Sequence, residues 1–93
     1  MEEKAKKIAE LLKLLANEHR LLILCALIQE PMSVGKIHEF TPNISSSALS
    51  QHLSQLKAAG ILESDKQGMK VIYRIQDKNV VGLMDFLKTH YCQ

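Results

Sequence analysis

The spacing of apolar residues divides the chain into helical and extended stretches. Ile8, Leu11, Leu12 and Leu15 recur at i, i+3, i+4 and i+7, with Lys6, Lys7, Glu10 and Lys13 on the other faces, and predict an amphipathic first helix. Asn17 suits the N-cap of a second helix, "EHRLLILCALIQE", which is apolar on most sides and therefore central, and which Pro31 ends. Ser33 can cap a short third helix, "VGKIHEF", before "TPN" breaks the pattern. In "ISSSALSQHLSQLKAAG", Ser45 is the expected N-cap, Leu49, Leu53 and Leu56 form one stripe, and Gly60 is the stop. The period then drops to two: Val71, Tyr73 and Ile75 alternate with Lys70, Ile72 and Arg74, and Gln67-Gly68 supplies a turn for a two-stranded hairpin. A last helix follows, with Val80, Val81, Met84, Leu87 and Tyr91 on one broad face. The order is helix, helix, helix, turn, helix, hairpin, helix, without repeats or low-complexity segments. This is a mainly α chain with a small β-hairpin wing, a winged helix-turn-helix.

Composition narrows the class. A chain of 93 residues forms one domain, residues 1–93, and gains stability by oligomerising. Hydrophobic content of 46% and charged content of 24% fit a soluble globular protein. With aromatics at 4% and no tryptophan, the core must be mostly Leu, Ile, Val and Ala. The start, "MEEKAKK", carries acids and is no secretory signal, and the run "LLILCALI" is too short to span a bilayer. Two cysteines in such a chain suit a reducing cytoplasm better than a disulfide scaffold. The formal charge of +2 implies no partner by itself, so the placement of the charges decides.

The fourth helix has a divided surface. Its leucine stripe docks it, and Ser46, Ser47, Ser50, Gln51, Ser54 and Lys57 face outward. A recognition helix enters the major groove by its N-terminal residues, which makes Ser46, Ser47, Ser50 and Gln51 the best candidates. Serine hydroxyls allow close approach, and glutamine can pair bidentately with adenine. The free N–H groups at the helix start can hold a phosphate. Taken alone, a Ser/Gln-rich face is more simply a solvated one. Here it follows a short helix and a turn and precedes a hairpin carrying Lys66, Lys70 and Arg74, and that combination is far more specific. Lys66, Gln67 and Lys70 fit a wing that touches phosphates or the minor groove. From Ile44 to Ile75 there are four basic and two acidic residues, a modest excess that calls for a dimer and a salt-sensitive complex with double-stranded DNA. Both terminal helices offer broad apolar faces for a homodimer. His52 beside the stripe is at least as well explained by packing as by DNA. For Arg20 an intramolecular ion pair is favoured over a phosphate contact.

These residues resemble a known family. "LANEHRLLIL", "SSSALSQHLSQLKAAGIL" and "GMKVIYRI" look like the ArsR-type winged-helix repressors of bacteria, and the match spans nearly the whole chain. The resemblance implies a cytoplasmic homodimer built from the first and last helices, an operator with inverted half-sites, and an inducer that weakens DNA binding. Carried over by position, it puts base and phosphate contacts on Ser47, Ser50 and Gln51. The turn "TPNIS" is about one residue longer than is usual there, which bears on the pose of Ser45 and Ser46.

Many ArsR-type proteins sense metals. The cysteines of one common site, on the third helix, are absent from "SVGKIHEF". At another, on the last helix, this chain has Asp77-x-Asn79 and His90-x-x-Gln93, so half the ligands are replaced by weak amide donors. Cys92 falls at the wrong offset to compensate. The residues therefore call for no metal and no cofactor. Cys25 and Cys92 instead resemble the dithiol branch of BigR-, SqrR- and HlyU-like regulators. That resemblance implies persulfide or oxidant chemistry, in which one thiol is modified and the other closes a disulfide or polysulfide bridge. Judged singly, Cys25 reads as an inert buried thiol and Cys92 as incidental. A metal-responsive repressor and a winged-helix protein-interaction module stay open as alternatives. No nucleophile, base and orienter come together as an enzyme would need.

Overall fold

A computed structural model describes residues 1–91. The chain runs α1 (Glu2–Leu15), α2 (Glu18–Leu27), β1 (Met32–Ser33), α3 (Val34–Phe40), α4 (Ser46–Ala58), β2 (Leu62–Gln67), β3 (Lys70–Ile75) and α5 (Lys78–Tyr91). The expected N-caps hold these helices. Asn17 Oδ1 accepts from the N–H groups of His19 and Arg20 at 2.9 and 3.1 Å. Ser33 Oγ accepts from Lys36 N–H at 3.2 Å, and Ser45 Oγ from Ala48 N–H at 3.0 Å. Each satisfies donors that a helix start leaves without intrahelical partners.

Helix α4 ends as its glycine predicts. Gly60 has φ +81°, its N–H bonds the Lys57 carbonyl at 3.0 Å, and Ile61 N–H bonds the Leu56 carbonyl at 3.0 Å. This is the Schellman pair, with buried Leu56 and Ile61 as its apolar partners. It turns the chain straight into β2.

The sheet has three strands in the order β1-β3-β2, all antiparallel, one strand more than the two-stranded hairpin read from the sequence. Met32 lies opposite Tyr73 and Ser33 opposite Ile72. A two-residue strand is too short to show a period of two, so its pairing is a tertiary choice. The hairpin loop is Gly68-Met69, closed by the Gln67–Lys70 pair, one position beyond the expected Gln67-Gly68. Gly68 takes φ +63° and no non-glycine residue has positive φ, the pattern of a II′ hairpin turn.

Ile23, Leu24, Ile37, Leu49, Leu53, Leu56, Ile61, Leu62, Val80 and Met84 are essentially fully buried. Helix α2 is central, as its apolar circumference predicts. Helix α1 is peripheral: it buries Leu15, while Ile8 and Leu12 stay 55% and 50% exposed. The broad face expected on α5 splits in the same way. Val80 and Met84 are buried, Leu87 is half-buried, and Val81 and Tyr91 are exposed.

A candidate nucleic-acid interface

The leucine stripe fixes the roll of α4. Leu49, Leu53 and Leu56 point into the core, which turns Ser46, Ser47, Ser50, Gln51, Ser54 and Lys57 to solvent. Ser50, Gln51, Ser54 and Gln55 line a shallow polar depression along that face. At the far end, Lys57 Nζ donates to Ser64 Oγ on β2 at 2.8 Å, joining α4 to the base of the wing. The turn before α4 is held by His38, whose Nε2 lies 2.9 Å from the Ile44 carbonyl oxygen. Thr41 in that turn is buried, and its Oγ1 has no hydrogen-bond partner among the described residues.

The wing is less basic than its sequence suggests. Arg74 bonds Asp65 at 2.9 Å and lies 3.8 Å from Glu63, all on the hairpin, so its charge is spent within the sheet. Lys66 and Lys70 remain exposed on opposite strands of the tip. Between them projects Met69, 98% exposed, which the sequence reading passed over. Its signal was the Gly-x pair of a II′ turn, which places the residue after Gly68 at the apex.

Arg20 is intramolecular, as favoured from the sequence, but among the described residues it makes hydrogen bonds and no ion pair. Its Nε donates to His52 Nδ1 at 3.1 Å, its Nη1 to the Leu14 carbonyl at 2.9 Å, and its Nη2 to Gln55 Oε1. His52 is thereby a packed flank residue. Its pKa lies below the usual 6.5, first because burial penalises the cation, then because of the Arg20 charge, then because of His19.

Of the sensing candidates, Cys25 is half-buried on α2 and packs against the core, whereas Cys92 lies outside the described residues, as does Gln93. Asp77 has a structural use: its Oδ1 accepts from Asn79 N–H at 2.9 Å and Val80 N–H at 3.3 Å and caps α5. His90 packs on Phe86 with ring centroids 4.3 Å apart. Among the described residues, no group of three or more His, Cys, Asp or Glu side chains converges as a metal site would require.

A capped, polar-faced helix behind a short helix and turn, flanked by a lysine-tipped hairpin, defines a winged helix-turn-helix DNA-binding regulator. The family described as bacterial regulatory protein, arsR family, matches residues 17–64, and the chain belongs to that family of transcription regulators, not to a family of enzymes. It is 39% identical to the transcriptional activator HlyU of Vibrio cholerae, over 100% of this chain and 85% of that protein. The structure of reduced HlyU superposes with a TM-score of 0.92, covering 100% of this chain and 97% of that one. The repressor BigR of Xylella fastidiosa is 32% identical with a TM-score of 0.88, covering 100% and 94%. The homodimeric winged helix-turn-helix domain Mb0332 of Mycobacterium bovis is 30% identical with a TM-score of 0.80, covering 94% and 80%. No helix among the described residues is long and apolar enough to cross a membrane.

Proposed function

We propose that residues 1–93 form one DNA-binding and dimerisation domain, a thiol-switched regulator of transcription. The homodimer uses α1 and α5. Ile8 and Leu12 on α1, and Val81, Phe86 and Tyr91 on α5, are large apolar side chains left exposed on a single chain, and a partner covers them. The homodimeric Mycobacterium bovis relative supports this assembly. Two-fold symmetry then spaces the α4 helices about 34–36 Å apart on an operator with inverted half-sites.

Ser46, Ser47, Ser50 and Gln51 address bases and phosphates in the major groove. Lys57, Lys66 and Lys70 meet the backbone, and Met69 presents an apolar tip to the minor groove. The observation that carries this reading is the exposed face of α4, fixed in roll by its three buried leucines.

The switch is the pair Cys25 and Cys92. A thiolate of one attacks the terminal sulfur of a polysulfide, which leaves as a polysulfide one sulfur shorter, and a cysteine persulfide forms. The second thiol then attacks the inner sulfur of that persulfide, forming the disulfide and releasing hydrogen sulfide. The dithiol loses two electrons and the polysulfide gains them. Support comes from the position of Cys25 on α2, which packs against α5, and from the likeness to HlyU, a protein studied in a reduced form. The bridge ties the dimerisation helix to the core and lowers DNA affinity. The use of Asp77 as a helix cap weighs against a metal inducer.

Mass spectrometry after polysulfide treatment, with DNA binding of Cys25→Ser and Cys92→Ser, tests the switch. The expected result is a Cys25–Cys92 linkage in the wild type, with binding intact but unresponsive in both variants. An unchanged response in either variant would sink the paired-thiol mechanism.

A further inference from the structure

Arg20 sits where three elements meet, and its bonds close gaps that each element leaves. The last carbonyls of a helix lack intrahelical partners. At the end of α1, the Leu12 carbonyl takes Ala16 N–H at 2.9 Å, the Leu15 carbonyl takes Asn17 N–H at 2.8 Å, and the Leu14 carbonyl takes Arg20 Nη1 at 2.9 Å. A guanidinium at that helix end also complements its dipole. The other two contacts reach across to α4. Nε donates to His52 Nδ1 at 3.1 Å and Nη2 donates to Gln55 Oε1. Gln55 borders the depression that Ser50 and Gln51 line, so the clamp lies directly beneath the proposed reading face.

We propose that Arg20 is a positioning residue for DNA binding: its one planar guanidinium locks α4 to the end of α1, and protonation of His52 opens the lock. The inference rests on α4 being the DNA face and on α1 belonging to the dimer. A planar fork of donors fixes three acceptors relative to one another, which a flexible ammonium cannot do. The lock transmits the seating of α1 to the recognition helix without any contact to DNA.

The His52 bond sets the condition. Nδ1 can accept from Arg20 only while it is unprotonated, so the proton of the neutral ring resides on Nε2. A second proton, taken from solvent onto Nδ1, turns both nitrogens into donors and leaves Arg20 Nε–H without its acceptor. It also sets a cation beside Arg20 and near His19, whose ring centroid is 6.0 Å from that of His52. Among the described residues, the carboxylate that approaches His19 is Glu18, at 3.9 Å and largely in solvent, which is poorly placed to compensate. From α4 itself, the neighbouring group is the neutral Gln55. The expected sign is the opposite of the usual one. Extra histidine charge on a DNA-binding protein strengthens its hold on a polyanion; here it weakens it.

The test uses the full chain and a DNA duplex that the wild type enriches from a random pool. Binding is measured by fluorescence anisotropy from about pH 7.5 to about pH 5.5 at fixed ionic strength, with circular dichroism in parallel. Wild-type affinity should fall about tenfold on acidification while the helical signal holds. His52→Gln, whose amide oxygen accepts from Arg20 at any pH, should bind within about threefold of wild type at neutral pH and lose the acid decline. Arg20→Gln should bind about tenfold more weakly at neutral pH with no further decline, and Arg20→Lys should not rescue it. A flat or rising wild-type profile, an acid decline that persists in His52→Gln, full binding by Arg20→Gln, or helix loss that tracks the binding loss would each overturn the inference. If binding to the enriched duplex is indifferent to substitution of Ser50 and Gln51, the α4 reading fails and takes this inference with it; if those substitutions matter and the pH profile is flat, only the lock fails.

Discussion

Gln51 and Lys70 are both exposed, yet the roles proposed for them on DNA differ. An amide can match the paired donor and acceptor of one base, whereas an ammonium senses only phosphate charge. Gln51→Ala should therefore cost about 1–3 kcal/mol of discrimination at one base position and leave the salt dependence unchanged. Lys70→Ala should weaken all duplexes alike and reduce the salt slope by about 1. Titrations of single-base operator variants at several salt concentrations check both, and a uniform loss in Gln51→Ala would remove it from base reading. Arg74 would have been a poor choice for the second experiment, because Asp65 and Glu63 already hold it. His52 adds a stability term of known sign. Its folded pKa lies below 6.5, so between the two values the unfolded chain binds more protons; stability is fully present above about pH 6.5 and is lost as pH falls through the folded value.

At the scale of elements, the exit from α4 is held by backbone conformation. A Cβ on Gly60 would meet only Gln76 Nε2, at 3.9 Å, so space is not the constraint. The φ of +81° is, and Gly60→Ala should cost about 1–2 kcal/mol of folding stability in chemical denaturation. A neutral result would show that the Schellman turn relaxes without loss. This glycine was legible in the sequence, as were the caps at Asn17, Ser33 and Ser45, because each acts on residues within one turn of itself. The polar face of α4 was legible too, since a single leucine stripe sets its roll. What escaped was set by distant partners. Strand β1 exists only because β3 lies alongside. Arg20 found a ring nitrogen, a carbonyl and an amide where the sequence suggested a carboxylate. The carboxylate that looked like a remnant metal ligand, Asp77, is the cap of its own helix.

For the whole molecule, the apolar residues that a single chain leaves in water on α1 and α5 are the surface on which the proposed homodimer rests. Leu12 is 50% exposed on a helix that buries little else, so Leu12→Glu should spare the fold of the chain and disrupt its pairing. Sedimentation should show a shift to monomer, with operator affinity down by about 10-fold or more because two half-sites are no longer bound together. A dimer that persists in this variant would move the interface away from α1.

The pairing of β1 with β3 reaches beyond the sheet. The strand leading into α3 is hydrogen-bonded to the inner strand of the hairpin, and Lys57 ties α4 to its other strand. The wing is therefore one jaw of a hydrogen-bonded caliper whose other jaw is α4, the proposed recognition helix. A caliper measures length: in the proposed complex, each base pair inserted between the bases assigned to α4 and the groove assigned to the wing would turn the duplex by about a tenth of a revolution. On the proposed reading, insertion of one base pair within the half-site should cost more affinity than a single-base substitution there, which titration of such operator variants checks.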